Sequence, residues 1–170
     1  TLPDVPGIAE RWGTDVLHCP YCHGWEVRDR TIGILATGPM AAHQAQMFRQ
    51  LSPDVTVYAH AAMPEPEALA GMAARNIAVV DARVVGLVVT DDQLSGVRLS
   101  DGTTSPCEAL VVTTQLEARA AFLSDLGLEL EPHPSGFGVY LPADPVGKTS
   151  VAGVSAAGNV VDLMAQVGAS

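Results

Sequence analysis

The residues best suited to do chemistry are two cysteines three positions apart, in Cys19-Pro20-Tyr21-Cys22. A thiolate attacks disulfides, and this spacing lets two sulfurs form and break a bond with little backbone movement. The second thiol resolves what the first attacks. His23 follows directly. An imidazole with an unperturbed pKa of about 6.5 can relay the thiol proton near neutral pH; an exposed turn residue is the plainer reading of His23. A C-x-x-C also suits zinc or inert structural thiols. Zinc needs four ligands, and the third cysteine, Cys107, lies far off on an expected strand, where a small buried hydrophobe is the expected role. No metal is assigned.

The 170 residues are 48% hydrophobic, 16% charged and 5% aromatic, the composition of an Ala/Val/Leu-rich globular α/β protein. A net charge of -10 with no basic patch repels a phosphate backbone, which argues against nucleic acid as a partner. No apolar run approaches the eighteen or so residues of a membrane span, and the opening residues carry no basic and apolar leader. A soluble, cytoplasmic protein without a membrane partner is expected. Three cysteines, two of them in a C-x-x-C, do not resemble a secreted disulfide framework.

The elements that must position the dithiol follow it. Residues 31–37 read as a buried strand. Residues 41–51 read as a helix with Ala42, Ala45, Met47 and Leu51 inward, ended by Ser52-Pro53-Asp54. Residues 55–58 form the next strand, which makes 31–58 a β-α-β unit. A Pro-started helix over 65–75 and a strand over 77–80 continue the winding. Then the pattern changes. Residues 83–90, 96–99 and 103–107 are β-rich and separated by Asp91-Asp92-Gln93 and Asp101-Gly102, which predicts an antiparallel meander before a buried strand at 110–113. In the tail, 151–157 reads as a strand, Gly158-Asn159 as a turn and Val161 onward as a helix start. It ends without a C-cap, which predicts that the natural polypeptide continues past Ser170.

Cys19-Pro20-Tyr21-Cys22 also occurs at glutaredoxin active sites, where the dithiol opens a long helix. Here Gly24, a turn at Arg28-Asp29-Arg30 and a Rossmann strand follow within a dozen residues. Cys19-Pro20-Tyr21-Cys22-His23-Gly24-Trp25-Glu26 with the strand-turn-helix from Thr31 resembles the thioredoxin-reductase-like branch of the pyridine-nucleotide-disulfide oxidoreductases. The Cys-Pro-Tyr-Cys-His-Gly version is similar to the dithiol oxidases that close disulfides in gliotoxin-like and holomycin-like natural products. The resemblance implies a Rossmann-like parallel sheet with an antiparallel meander excursion, plus part of an FAD domain. It implies a nicotinamide-type domain over 14–145 carrying the dithiol, with 1–13 and 146–170 belonging to an incomplete FAD-binding domain. It further implies a homodimer, FAD as cofactor, Cys22 facing the flavin and Cys19 exchanging with substrate. His23 stands where thioredoxin reductases carry an acidic proton donor.

The nucleotide segments depart from that pattern. Ala36-Thr37-Gly38-Pro39-Met40-Ala41 occupies the place of a G-x-G-x-x-G/A loop but keeps only Gly38, and Pro39 removes an N–H where phosphate seeks donors. Beyond Val57, where the family places arginines for the NADPH phosphate, the run is Tyr58-Ala59-His60-Ala61-Ala62, with His60 an ordinary loop residue. NAD(P)H is therefore a doubtful cofactor. The tail resembles the family's second FAD signature, with Gly158 and with Asn159 in place of an acid, and Gln166 and Val167 where backbone N–H groups address the flavin ring. Trp12 and Trp25 flank the dithiol as packing residues or pocket walls. The expected function is an FAD-dependent dithiol–disulfide oxidoreductase that oxidises small dithiols with oxygen as acceptor. Its alternatives are an NAD(P)H-dependent disulfide reductase and a truncated, catalytically silent domain.

Overall fold

The computed structural model describes residues 1–163 and residue 165. The chain divides into two compact units, Leu2–Thr113 and Thr1 with Thr114–Ser170. In the first, α1 (Ile8–Arg11), β1 (Val16–Leu17) and α2 (Pro20–His23) precede the β-α-β unit formed by β2 (Ile32–Leu35), α3 (Ala41–Phe48) and β3 (Val55–Tyr58). Then come α4 (Pro66–Ala73), β4 (Ala78–Val80), the meander β5 (Val84–Thr90), β6 (Gln93–Leu99) and β7 (Thr104–Pro106), and β8 (Ala109–Val112).

Strands β1, β8, β2, β3 and β4 lie in that order in one sheet, and every pairing is parallel. A parallel sheet is covered on both faces, so its strands read as near-continuous apolar runs. Ile32 and Ile34 alternate with Leu35 across the pleat accordingly. One face, with Leu17, Ile32, Ile34, Val55, Val57, Ala109 and Val111, packs against α3 and α4 through Ala45, Phe48 and Met72. The other, with Val16, Leu35, Tyr58, Leu110 and Val112, packs against Val84, Leu94 and Val97 of the meander and Val5 and Ile8 of the opening segment.

Helix α3 buries Ala41, Gln44, Ala45 and Phe48, an i, i+3, i+4, i+7 stripe turned from the expected one. Of the expected inward residues only Ala45 is fully buried; Ala42 and Leu51 pack partly against the same core. The stripe includes a glutamine, which hydrophobic periodicity does not select. Ser52 ends the helical stretch from inside, its hydroxyl donating to the Arg30 carbonyl at 2.6 Å and accepting the Asp54 N–H at 3.1 Å.

The meander turn is one residue shorter than expected. Asp91 and Asp92 take φ of 51° and 58°, and Gln93 already pairs with Thr90, so two left-handed residues close a tight hairpin. Arg11 clamps that tip to β1: its guanidinium reaches both carboxylate oxygens of Asp15 and the Asp92 side chain, while Asp15 accepts the Leu94 N–H at 2.9 Å.

The second unit holds β9 (Leu116–Glu117), a 3-10 segment at Ala121–Leu126, β10 (Glu131–Pro132) and β11 (Gly138–Tyr140), with β11 central in a three-stranded sheet. The strand expected over 151–157 is absent; only Ser155 makes a bridge, to Lys148. Local bonds take up its backbone groups instead: the Val154 N–H donates to the Val151 carbonyl, and Thr149 turns back onto Val154 around Gly153 at φ 83°. Gly158–Val160 is a 3-10 turn, and the N–H groups of Val161 and Asp162 both return to the Gly158 carbonyl. Packing thus divides the chain after Thr113, with residues 2–13 joining the dithiol-bearing unit.

Gly33 sits where β2 crosses under Tyr58. An added Cβ would lie 2.7 Å from Tyr58 Cε2 and 2.8 Å from Cys107 Sγ, both immobile in the core. Gly33→Ala is expected to destabilise the protein by about 1–3 kcal/mol through overpacking, read from urea denaturation against wild type.

Candidate active site

β1 delivers the dithiol. The chain leaves the sheet after Leu17, and Cys19, with extended φ and ψ, is the N-cap of α2, with Pro20 at its first position. This single helical turn is far shorter than the long helix a glutaredoxin dithiol opens. Gly24 closes it, its N–H donating to the Pro20 carbonyl at 2.9 Å; a side chain there would strike that carbonyl and Leu51.

Both cysteines are free thiols, Cys19 half-buried and Cys22 exposed. Cys19 Sγ accepts the Cys22 N–H at 3.3 Å, and the two sulfurs lie 2.8 Å apart with Cys22 as donor. Desolvation raises the Cys19 thiol, but the hydrogen bonds from the Cys22 S–H and from the Cys22 and Tyr21 N–H groups outweigh it and hold Cys19 below the ordinary thiol range. Cys22 moves the other way: the S–H it donates to Cys19, then desolvation and the Cys19 charge, raise it. The pair is therefore asymmetric, with Cys19 the more acidic thiol and Cys22 the one that donates its proton.

His23, the last residue of α2, is exposed, and its N–H donates to the Cys19 carbonyl at 3.2 Å. One helical turn separates the two residues, which puts His23 and Cys19 on the same face. Sequence reasoning missed His18. Its ring stacks on Trp12 with centroids 5.8 Å apart, and desolvation first and the nearby His23 second lower its pKa. The signal was available as a histidine on either side of the C-x-x-C. Tyr21 and Trp25 are 87% and 67% exposed beside the thiols, so Trp25 is not sealed into a core; the Arg28 guanidinium lies 4.2 Å from its ring centroid. Trp12 is also partly open.

Gly38 has no positive φ, and an added Cβ would meet open space. It borders a cleft of about 260 Å³ between the α3 and α4 starts, lined by Pro39, Ala42, Ala62 and Met63, with Glu65 as its charged residue. That lining holds no cation, so a pyrophosphate there would rely on backbone N–H groups at the α3 start, where Pro39 lacks one. His60 is engaged structurally: its Nδ1 accepts the Val84 N–H at 3.2 Å. Cys107 is buried, donates to the Ala109 carbonyl, and is pushed up to about 12 by desolvation.

In the second unit, Gly158 takes φ 79° and Asn159 is exposed at a cavity of about 370 Å³ shared with Arg119. The cavity also carries the Glu117 carboxylate, so its amide and guanidinium fit the uncharged hydroxyl and carbonyl groups of FAD rather than its phosphates. Gln166 and Val167 lie outside the described residues. Gly38 and the dithiol belong to one unit, Gly158-Asn159 to the other. Among the described residues no group of three or more His, Cys, Asp or Glu could hold a metal ion, and no helix is long and apolar enough to cross a membrane.

A parallel Rossmann-like sheet with helices on one face, a three-stranded excursion on the other and a C-x-x-C turn at a strand end defines a disulfide-oxidoreductase type of domain. Thioredoxin reductase tcpT of Claviceps purpurea is 34% identical over 168 residues, which cover 92% of this chain and 50% of that protein. The crystal structure of HlmI matches with 40% identity and a TM-score of 0.79, over 98% of this chain and 51% of that one. An oxidoreductase from Agrobacterium tumefaciens matches with 31% identity and a TM-score of 0.80, over 99% and 55%. No protein-family model matches. The chain is similar to thioredoxin-reductase-like disulfide oxidoreductases over nearly all of its own length, and it spans about half the length of the relatives it matches.

The opposed environments of the three thiols set an order of reactivity. Iodoacetamide labelling between pH 5 and 9, resolved by mass spectrometry, is expected to modify Cys19 at the lowest pH and Cys22 only at higher pH. Cys107 should stay unmodified until the protein unfolds. Equal midpoints for Cys19 and Cys22 would contradict the asymmetry.

Proposed function

We propose that this chain carries the dithiol half of an FAD-dependent oxidoreductase that oxidises small dithiols, with oxygen as final acceptor. The observation that carries the reading is the Cys22 S–H donated to Cys19, which leaves one nucleophile and one resolving thiol on a single exposed turn. In this reading 14–145 corresponds to the nicotinamide-type domain of the longer relatives, and 1–13 and 146–170 to parts of their FAD domain.

With Cys19 and Cys22 joined as a disulfide, one substrate thiolate attacks Cys19 Sγ and the Cys22 thiolate leaves. The second substrate thiolate then attacks the substrate sulfur of that mixed disulfide and expels the Cys19 thiolate. The substrate leaves as a disulfide, and its two electrons remain on the cysteine pair as the reduced dithiol. His23, on the Cys19 face of the turn, takes the substrate thiol protons and returns one to Cys22. FAD, when bound, supplies the two-electron acceptor that regenerates the disulfide. Asn159, with Arg119 on the same cavity, would hold part of it; Cys22, the more exposed thiol, is suited to face it. The cation-free cleft beside Gly38 supports thiols, rather than a nicotinamide dinucleotide, as the electron source.

Two variants test the order of events. Cys22→Ser incubated with a small aromatic disulfide is expected to trap a mixed disulfide at Cys19, whereas Cys19→Ser should trap at least tenfold less at Cys22. Adducts forming equally on both would overturn the assigned roles. For the electron source, a small dithiol should bleach the visible flavin band of protein carrying FAD under anaerobic conditions; stoichiometric bleaching by NADPH without thiol would sink the oxidase reading.

A further inference from the structure

We infer that Gln44, on α3, is a positioning residue for the dithiol, clamping the two strand ends between which the Cys19 turn is hung. The inference rests on Cys19 being the exchanging thiol.

The ladder between β1 and β8 contains two pairs, Val16 with Leu110 and Leu17 with Val111. Beyond it, the β1 side continues as His18 and then Cys19, and the β8 side as Val112 and Thr113. Gln44 spans these ends. Its Nε2 donates to the His18 carbonyl at 3.5 Å, and its Oε1 accepts the Thr113 hydroxyl at 3.0 Å. The side chain is 9% exposed and stands in the stripe of α3 that otherwise buries Ala41, Ala45 and Phe48.

A buried amide in an apolar stripe costs stability unless both its ends are bonded, and here they are bonded to groups that have just left the sheet. The His18 carbonyl belongs to the peptide that leads into Cys19. Fixing that peptide fixes the extended φ and ψ of the N-cap, and with them the angle at which the Cys22 and Tyr21 N–H groups meet the Cys19 sulfur. The acidity of Cys19 comes from those donors. Gln44 touches neither thiol, so it acts through this geometry alone.

A purely structural glutamine would change stability and leave the Cys19 titration where it is. The test is the pH profile of Cys19 alkylation, recorded beside thermal unfolding. Gln44→Met keeps the length and removes both bonds. It is expected to move the Cys19 midpoint up and to slow alkylation at pH 6 about three- to tenfold, since one pKa unit is tenfold in thiolate. Thr113→Val should shift the profile in the same direction, and Thr113→Ser, which keeps the hydroxyl, should restore it. Ser52→Ala, at another buried polar site, should lower stability without moving the profile. Wild-type profiles in folded Gln44→Met and Thr113→Val would overturn the inference; if Gln44→Met does not fold, Thr113→Val and Thr113→Ser decide. A shifted profile in protein that traps no mixed disulfide would leave the positioning intact and refute the exchange reading instead.

Discussion

The dithiol depends on how β8 is held. Ala109–Val112 is buried at every residue and pairs in parallel on one side with β1 and on the other with β2. Parallel pairing has a side-chain period of two, so a slip of one residue would carry Val111 out of the helix-covered face and Leu110 out of the meander-covered one. Both faces are filled, which forbids the slip. The register of a two-residue strand that is weak by itself is thereby imposed by its neighbour. Everything downstream, including the N-cap at Cys19 and the single turn that follows, inherits its position from that constraint.

The three cysteines show how one functional group is given different chemistry by its place on this sheet. Cys107 precedes β8 on the meander side, where desolvation outweighs the backbone bonds at Gly33 and Ala109 and keeps it protonated. Cys19 lies past the end of β1, where the backbone is free to turn and present N–H groups to sulfur. Cys22 is on the solvent side of that turn and gains a thiolate neighbour rather than donors. The distinction between inert and reactive thiol is thus one of position relative to the strand ends, where open α/β sheets commonly place their chemistry.

Much of this arrangement was legible in the residues. The runs around Ile34, Val57 and Val111 are apolar enough to announce strands covered on both faces, and Asp91-Asp92 and Asp101-Gly102 announce the hairpins. What could not be read follows from local competition. Residues 151–157 have strand-like composition, but Thr149 and Gly153 turn the backbone onto itself, and no periodicity records such bonds. The inward stripe of α3 was misjudged because hydrophobic spacing passes over Gln44, whose partners come from two strand ends 26 residues before it and 69 residues after it. At the site, Cys19, Cys22 and His23 were visible because their chemistry is carried by residue type and spacing. His18 was passed over because its contact is a stacking on Trp12, which no motif encodes.

The aromatic surroundings of the dithiol bear on how the two thiols divide their work. Tyr21 and Trp25 bracket Cys22 in sequence and stay largely exposed, with Arg28 laid over Trp25 rather than a core residue. Large aromatic area left in water is a cost unless something planar covers it. Cys19, by contrast, is half-buried beneath the turn and approached from the side of His18 and His23. In the proposed reaction these surroundings are assigned accordingly, a planar redox partner to Cys22 and a substrate thiolate that needs its proton managed to Cys19. The same division follows from the hydrogen bond between the sulfurs: the thiol that holds the proton can attack an electron acceptor only once that proton has a path away. The exposed side of the turn, next to His23, provides that path.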